Sequence, residues 1–129
     1  MPRAKQLTVS VPDRPGVLGE LASVLGAKKI NIRAFHAWVQ EGRGVIRVVV
    51  DKHAAAKKEI AAHGWSATDD EVLAVTLTDS PGTLGRIGAK LGKAGVNIQY
   101  AYAGSAGSAR KATVYLGVSD LKAGLKAAR

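Results

Sequence analysis

The segment at residues 13–19 (DRPGVLG) returns 66 positions later as residues 79–85 (DSPGTLG). The likeness extends to both sides, because 11 of 26 residues are identical when residues 7–32 are aligned with residues 73–98. Copies of one structural unit keep the spacing of their hydrophobic residues, whereas surface polar residues need not be kept. Here Asp13 and Asn31 recur as Asp79 and Asn97. This recurrence suggests that a site was duplicated together with a core.

The composition is that of an ordinary globular chain, with 129 residues of which 47% are hydrophobic and 22% charged. The repeat divides it into two modules, residues 1–70 and residues 71–129. Modules of this size are only marginally stable alone. We therefore expect the two modules to pack on one another and the chain to form a homo-oligomer, a dimer in the simplest case.

The chain contains no cysteine, which excludes disulfides, thiolate zinc sites and thiol nucleophiles. No run of 18 apolar residues and no signal-peptide core occur, so we expect a cytoplasmic protein. The net charge of +9 is compatible with an anionic partner or with a solvated basic surface. We favour the solvated surface, because the lysines and arginines are scattered and form no block of five.

Hydrophobic periodicity predicts the elements of the first copy. Residues 7–11 alternate as in a half-buried strand, and a helix follows with Pro15 in its first turn and Gly26 at its end. The remaining predicted elements are strands at residues 30–39, 45–50 and 65–68 and a helix at residues 52–63. The resulting order, β-α-β-β-α-β, predicts an antiparallel sheet with both helices on one face.

The second copy repeats this order. Strands are predicted at residues 72–78, 96–103 and 112–118, with a turn at residues 104–108, and helices at residues 81–94 and after Ser119-Asp120. The polar residues 68–71 are the interval between the copies. The fold class is therefore α+β, with two ferredoxin-like modules of which the second lacks its last strand. Either its sheet keeps three strands, or a neighbour supplies the missing one.

The repeated loop has the composition of an anion site. Glycine permits a sharp bend and the close approach of a ligand, and the first N–H groups of a helix lie at the positive end of its dipole. Asp13 and Asp79 either form Asx turns or accept a hydrogen bond from a ligand ammonium. Gly19 and Gly85, one turn inside each helix, cost about 1 kcal/mol each relative to alanine, which suggests close packing against the sheet or across an interface.

Two interpretations of the repeated residues stay open. The Pro-Gly pairs suit a helix-initiating turn without a ligand as well as they suit a site. Asparagine is disfavoured in strands, so Asn31 and Asn97 serve either as local turn caps or in a shared task. A helix of 12 to 15 residues is about 20 Å long and separates loop from asparagine within one module. A site would therefore join Asp13 to Asn97 and Asp79 to Asn31.

The pattern Asp-x-Pro-Gly-x-Leu, an amphipathic helix and then (Ile/Val)-Asn-Ile resembles the ACT domain, a regulatory module that binds amino acids. The resemblance covers both copies. It implies a ferredoxin-like fold, pairing of modules and an amino-acid effector at the interface. The possible partners of such a module are an enzyme or a transcription factor, and the sequence does not choose between them. The ligand-binding residues that it implies are Asp13, Pro15, Gly16, Val17, Leu18 and Asn31, and Asp79, Pro81, Gly82, Thr83, Leu84 and Asn97.

Other functions have weaker support. His36, His53 and His63 have no metal-ligand spacing, and we interpret His53 and His63 as helix-surface residues and His36 as the counterpart of Tyr102. No acid or nucleophile is paired with these histidines, so we expect neither a metal site nor an enzyme. No phosphate-binding glycine motif occurs, so we do not expect nucleotide-dependent catalysis, and we expect no cofactor. The rivals are a nucleic-acid-binding protein that stacks bases on Tyr100 and Tyr102, and an assembly module without a ligand. The third strands carry few aromatic residues, which argues against the first rival.

Overall fold

The computed structural model describes residues 2–129. These residues form an alternating series of strands and helices. The strands are β1 (Arg3–Pro12), β2 (Ile32–Gln40), β3 (Arg43–Val50), β4 (Ser66–Thr78), β5 (Ile98–Ser105) and β6 (Lys111–Val118), and the helices are α1 (Val17–Ala27), α2 (His53–Ala62), α3 (Thr83–Lys93) and α4 (Leu121–Ala127). No helix among the described residues is long and apolar enough to cross a membrane.

The chain folds into two compact units, which we call unit A (Lys5–Asp70) and unit B (Glu71–Arg129 together with residues 2–4). Within unit A the strand order is β2-β3-β1-β4, and within unit B it is β4-β6-β5. The pairs β1–β3, β2–β3, β4–β6 and β5–β6 are all antiparallel. The predicted α+β class is confirmed, and the arrangement is ferredoxin-like.

The core of unit A lies on the face of the sheet that the helices cover. Alternate residues of β1 are fully buried, and Leu7 and Val9 pair with Val48 and Ile46 of β3. Residues directly opposite in an antiparallel pair point to the same face, so these four side chains form one apolar layer. Four helix residues pack on this layer: Leu21 and Leu25 of α1, and Ala56 and Ile60 of α2.

The core of unit B has the same construction. Leu73 pairs with Leu116, and Ile87, Leu91 and Leu125 of the helices pack on them. The predicted cap of the last helix is confirmed, because Ala123 N donates to Asp120 Oδ1 at 3.0 Å.

Residues 2–4 lie beside β4 in unit B. Ala74 N donates to Pro2 O at 3.0 Å, and Arg3 forms an ion pair with Glu71 at 3.5 Å. Of the two arrangements expected for the second copy, a neighbouring segment is the one observed, and it comes from the beginning of the same chain.

The expected interruption of the strand at residues 68–71 is wrong, although the two units still meet between Asp70 and Glu71 along the chain. Residues 65–68 and 72–78 were predicted as separate strands, whereas β4 runs without interruption from Ser66 to Thr78. The acidic residues do not end the strand because neighbouring side chains satisfy them: Asp69 contacts His53 and Lys57, and Asp70 accepts from Thr8 Oγ1 at 2.9 Å. The turn predicted at residues 104–108 is also too early, since β5 extends to Ser105.

The glycines one turn inside the helices do not pack on the sheet. Gly19 and Gly85 are exposed, and a Cβ built on either would meet no atom within 4 Å. The expected close approach to the sheet is therefore wrong, because α1 and α3 touch their sheets through Leu21, Leu25, Ile87 and Leu91 instead. A role for these glycines at an interface stays a prediction.

Candidate functional site

The loop before each helix is a type II turn. Val17 N donates to Arg14 O at 3.3 Å, and Gly16 has φ 86° and ψ −4°. In the second copy Thr83 N donates to Ser80 O at 3.4 Å, and Gly82 has φ 89° and ψ −13°. Type II turns favour proline at the second position and need glycine at the third. The turn alone therefore accounts for both Pro-Gly pairs.

Both loops start helices, as predicted, but the helices begin at Val17 and Thr83. Pro15 was expected in the first helical turn and instead lies before the N-cap Gly16. The reason is that the left-handed glycine bends the chain between the proline and the helix. The second loop has an additional restraint, since Thr83 Oγ1 donates to Thr78 O at 2.8 Å and to Ser80 O at 2.9 Å.

Free amide groups remain at the start of each helix. The first helical hydrogen bonds are Glu20 N to Gly16 O at 2.9 Å and Arg86 N to Gly82 O at 3.0 Å, and no side chain caps either helix. The N–H groups of residues 18–19 and 84–85 consequently have no acceptor within the described part of the chain. Such groups, at the positive end of a helix dipole, bind carboxylates and phosphates.

The aspartates that open the loops are exposed. Neither the Asp13 nor the Asp79 carboxylate accepts a hydrogen bond from residues 2–129, so the Asx turns considered from sequence are not formed. The second loop is held by its backbone, where Asp79 N donates to Arg110 O at 2.7 Å. Both carboxylates are available to accept from a cation.

The backbone groups of the two repeated asparagines are hydrogen-bonded to residues that follow a strand. Asn31 N donates to Asp51 Oδ1 at 3.0 Å, and Asp51 N donates back to Asn31 O at 3.2 Å. Asn97 and Ser119 form the same reciprocal pair at 3.0 and 2.9 Å. Any residue supplies these backbone groups. The exposed side-chain amides themselves make no hydrogen bond within residues 2–129, so they do not serve as local caps.

Within unit A the loop and the asparagine lie at opposite ends of the sheet. The strand pairing places Pro12 beside Arg43 and Ile32 beside Val50. The seven steps along β3 from Arg43 to Val50 correspond to about 24 Å. One amino acid cannot span that distance, so the two features of one unit cannot share a small ligand.

A groove of about 220 Å³ lies beside the first loop. Asp13, Val17 and Leu18 form one wall, and Trp38 and Val39 of β2 form the other. Leu18 is 38% exposed and Val39 is 57% exposed, so apolar surface adjoins the free amides. The loop therefore offers a polar group for a ligand backbone and an apolar surface for its side chain.

The aromatic residues are engaged within the protein. Tyr102 stacks on Tyr115 with centroids 5.4 Å apart, and Tyr115 is only 4% exposed. Trp38 meets the His36 ring edge-on at 4.9 Å and carries the Arg47 guanidinium 4.5 Å from its centroid. His36 and Tyr102 occupy equivalent register positions, as predicted. Tyr102, one of the two residues considered for base stacking, therefore already has a ring stacked against it.

Two ion-pair clusters in unit A were missed from sequence because their members lie far apart along the chain. Glu20 contacts His63 at 2.6 Å and Arg14 at 2.8 Å, and these hydrogen bonds, from His63 first, lower the pKa of the Glu20 carboxyl. Hydrogen bonds from Lys57 and His53 lower the pKa of Asp69 in the same way. His53 and His63 lie at the two ends of α2, partly exposed as predicted, and each ring forms a hydrogen bond to one of these carboxylates.

The fold and the two Asp-x-Pro-Gly loops are those of a small ferredoxin-like module in which a turn with free amides precedes a helix. Residues 5–63 match the model of the ACT domain family. No curated protein matches this sequence. The matched range includes the first loop and Asn31.

Solved structures show the same fold. A protein from Bacteroides thetaiotaomicron is 24% identical, with a TM-score of 0.88 over 98% of this chain and 86% of the other. The regulatory subunit of aspartate kinase from Thermus thermophilus, in its ligand-free form, is 18% identical, with a TM-score of 0.66 over 98% and 89%. The corresponding subunit from Thermus flavus is 16% identical, with a TM-score of 0.63 over 99% and 91%. At these identities the likeness concerns the fold alone.

Proposed function

We propose that this protein is a regulatory, non-catalytic sensor that binds a small amino acid and transmits its presence to a partner enzyme or transcription factor. The observation that carries the proposal is the recurrence of an asparagine whose backbone groups are hydrogen-bonded and whose exposed side-chain amide has no partner among residues 2–129. The match of residues 5–63 to the ACT domain and the fold shared with regulatory subunits support it.

The proposed chemistry divides the ligand between two groups of residues. The ligand carboxylate rests on the free N–H groups at a helix start, which the type II turn holds open. The ligand ammonium donates to the asparagine side-chain oxygen of another module and to the loop aspartate. The residues assigned to binding are Asp13, Pro15, Gly16, Val17, Leu18, Asn31, Asp79, Pro81, Gly82, Thr83, Leu84 and Asn97.

A thermal-shift screen of the twenty amino acids tests the proposal. A ligand that binds only the folded state at a hundredfold excess over Kd stabilises it by about 2.7 kcal/mol, which raises the melting temperature by several degrees. We expect one amino acid or a chemically related group to act. Flat responses to all twenty, together with salt-sensitive binding of an oligonucleotide, would favour the nucleic-acid-binding alternative.

The variant Asn97→Ala tests the role of the asparagine. Loss of a hydrogen bond to a charged ammonium is expected to cost about 1 to 3 kcal/mol, a five- to 150-fold rise in Kd at one site. Titration calorimetry should show that site weakened and the other retained. Gln99→Ala removes an exposed amide from the following strand and is the matched control, with binding unchanged. Equal affinity of the Asn97→Ala variant at both sites would remove this asparagine from the proposal.

A further inference from the structure

Unit B contains a groove of about 760 Å³ between β4 and α3. Val75, Leu77 and Ile87 supply apolar surface, and Ala128 lies at the end of α4 where that helix stops covering the core. Small-molecule sites commonly enclose 300–1,000 Å³, so the groove has the size of one.

The groove lies at a position where unit B has a smaller side chain than unit A. Strand pairing places Leu7 beside Val48 and Leu73 beside Leu116, so the second half of the repeat is offset by 68 positions. This offset makes Ala128 the counterpart of Ile60. Ile60 is 0% exposed and belongs to the core of unit A, whereas Ala128 has a smaller side chain and lines the groove.

The exposure of the sheet agrees with this comparison. Val9 and Val11 of unit A are 0% exposed, and their counterparts Val75 and Leu77 are only half-buried. Val75 and Leu77 therefore give the groove an apolar floor that is more exposed than the equivalent surface of unit A.

The rim of the groove is basic. Arg86, Lys90 and Lys93 lie at i, i+4 and i+7 on one face of α3, and no aspartate or glutamate lines the groove. Their counterparts in unit A are Glu20, Val24 and Ala27. Lys90 Nζ donates to Arg129 O at 2.7 Å, whereas Arg86 and Lys93 have no carboxylate partner among residues 2–129.

We propose that this groove binds an organic acid, a carboxylate carried on an aromatic or branched apolar body that lacks an ammonium group. The apolar body replaces the side-chain volume that Ile60 contributes in unit A, and the carboxylate pairs with Arg86 and Lys93. An amino acid fits less well, because its ammonium would lie beside these cations without a carboxylate to accept from it. The groove adjoins the second loop, because Thr83 lines it, and its proposed ligand differs from the amino acid proposed above in having no ammonium group.

Titration calorimetry with three indole compounds tests the roles of the carboxylate and of the ammonium group. The compounds are indole-3-propionate, its uncharged amide and L-tryptophan. We expect the propionate to bind at least tenfold more tightly than either of the others, and its affinity to fall with added salt. Equal affinity for propionate and amide would overturn the proposal, as would preferred binding of tryptophan.

Substitutions locate the binding. Ala128→Ile restores the side chain found in unit A and is expected to weaken propionate binding at least tenfold. Ala94→Ile is the matched control, because Ala94 is the exposed C-cap of α3 and lies outside the groove, and its affinity should equal that of the wild type. Wild-type affinity in Ala128→Ile would overturn the proposal.

Arg86→Gln provides an independent test if the isoleucine disturbs folding. This variant removes a charge at an exposed position, so far-ultraviolet circular dichroism should match that of the wild type. Propionate binding is expected to weaken at least fivefold while binding of the amide stays constant. An unchanged affinity for the propionate would contradict the assignment of Arg86.

Discussion

At the scale of the residue, two glycines three positions apart have opposite requirements. Gly16 has φ 86°, a conformation that costs a residue with a side chain about 1–2 kcal/mol, whereas Gly19 lies in the helix with open space around it. The same contrast separates Gly82 from Gly85. The turn requires glycine at the first position of each pair because φ is positive there. No contact within the unit requires glycine at the second position.

This contrast makes a prediction about stability. Gly16→Ala should lower the free energy of unfolding by about 1–2 kcal/mol because of strain. Gly19→Ala should raise it by about 0.5–1 kcal/mol, since alanine is the better helix former. Urea denaturation of both variants measures the difference. Destabilisation by Gly19→Ala would show that this position packs closely against something after all.

The ion pairs of Glu20 predict a dependence on pH. Because folding lowers the pKa of this carboxyl below its ordinary value of 4.5, the folded state is favoured above that value, and the contribution disappears as the pH falls through the lowered pKa. Glu20→Gln should therefore be less stable than the wild type near neutral pH and equal to it in strong acid. Glu59→Gln is the control, because the Glu59 side chain has no ion pair among residues 2–129. A Glu20→Gln effect that persists unchanged in acid would contradict this assignment.

At the scale of the element, strand β4 shows how unit B is completed. Its residue Ala74 donates to Pro2 O at 3.0 Å, so the beginning of the chain supplies backbone pairing that the second copy lacks. Nothing in the hydrophobic pattern of residues 71–129 indicates this partner, because the pairing joins segments about seventy positions apart.

Removal of residues 1–4 tests the role of this pairing. The Ala74 amide loses its acceptor, and we expect its hydrogen exchange to become at least tenfold faster under native conditions. The amide of Asn31, held by Asp51 in unit A, should keep its rate and serves as the internal control. Unchanged exchange at Ala74 would mean that residues 2–4 contribute nothing to the strand.

At the scale of the whole molecule, large apolar side chains remain on the surface. Phe35 is 52% exposed, Val39 57% and Leu84 60%. Exposed apolar side chains that cluster mark interaction surfaces. Phe35 and Val39 lie four register positions apart on the same face of β2. A second copy of the chain is the partner that we expect on this face.

Light scattering tests this expectation. The wild type should have the mass of a dimer or a larger assembly at high micromolar concentration, and Phe35→Glu combined with Val39→Lys should give a monomer. Charge introduced at Gln40, the exposed end of the same strand, should leave the mass unchanged and is the control. A wild-type monomer at that concentration would contradict the prediction.

Local spacing alone predicted the class of fold and the presence of a helix directly after each repeated loop. Pro-Gly before an apolar helical face specifies a turn and a helix through backbone conformation, and alternation of Leu7, Val9 and Val11 specifies a strand with one buried face. These are interactions between near neighbours, so they are legible in one sequence. The recurrence of Asp13 and Asn31 likewise identified the residues on which the functional proposal rests.

Only the tertiary structure decided which polar groups form hydrogen bonds within the protein and which do not. The continuity of β4 through Asp69 and Asp70 depends on Thr8, His53 and Lys57, and the completion of unit B depends on Pro2. The correspondence of Ala128 in the groove with Ile60 in the core of unit A follows only from the strand register. Each of these contacts joins distant parts of the chain, and hydrophobic periodicity contains no information about partners that are remote in sequence.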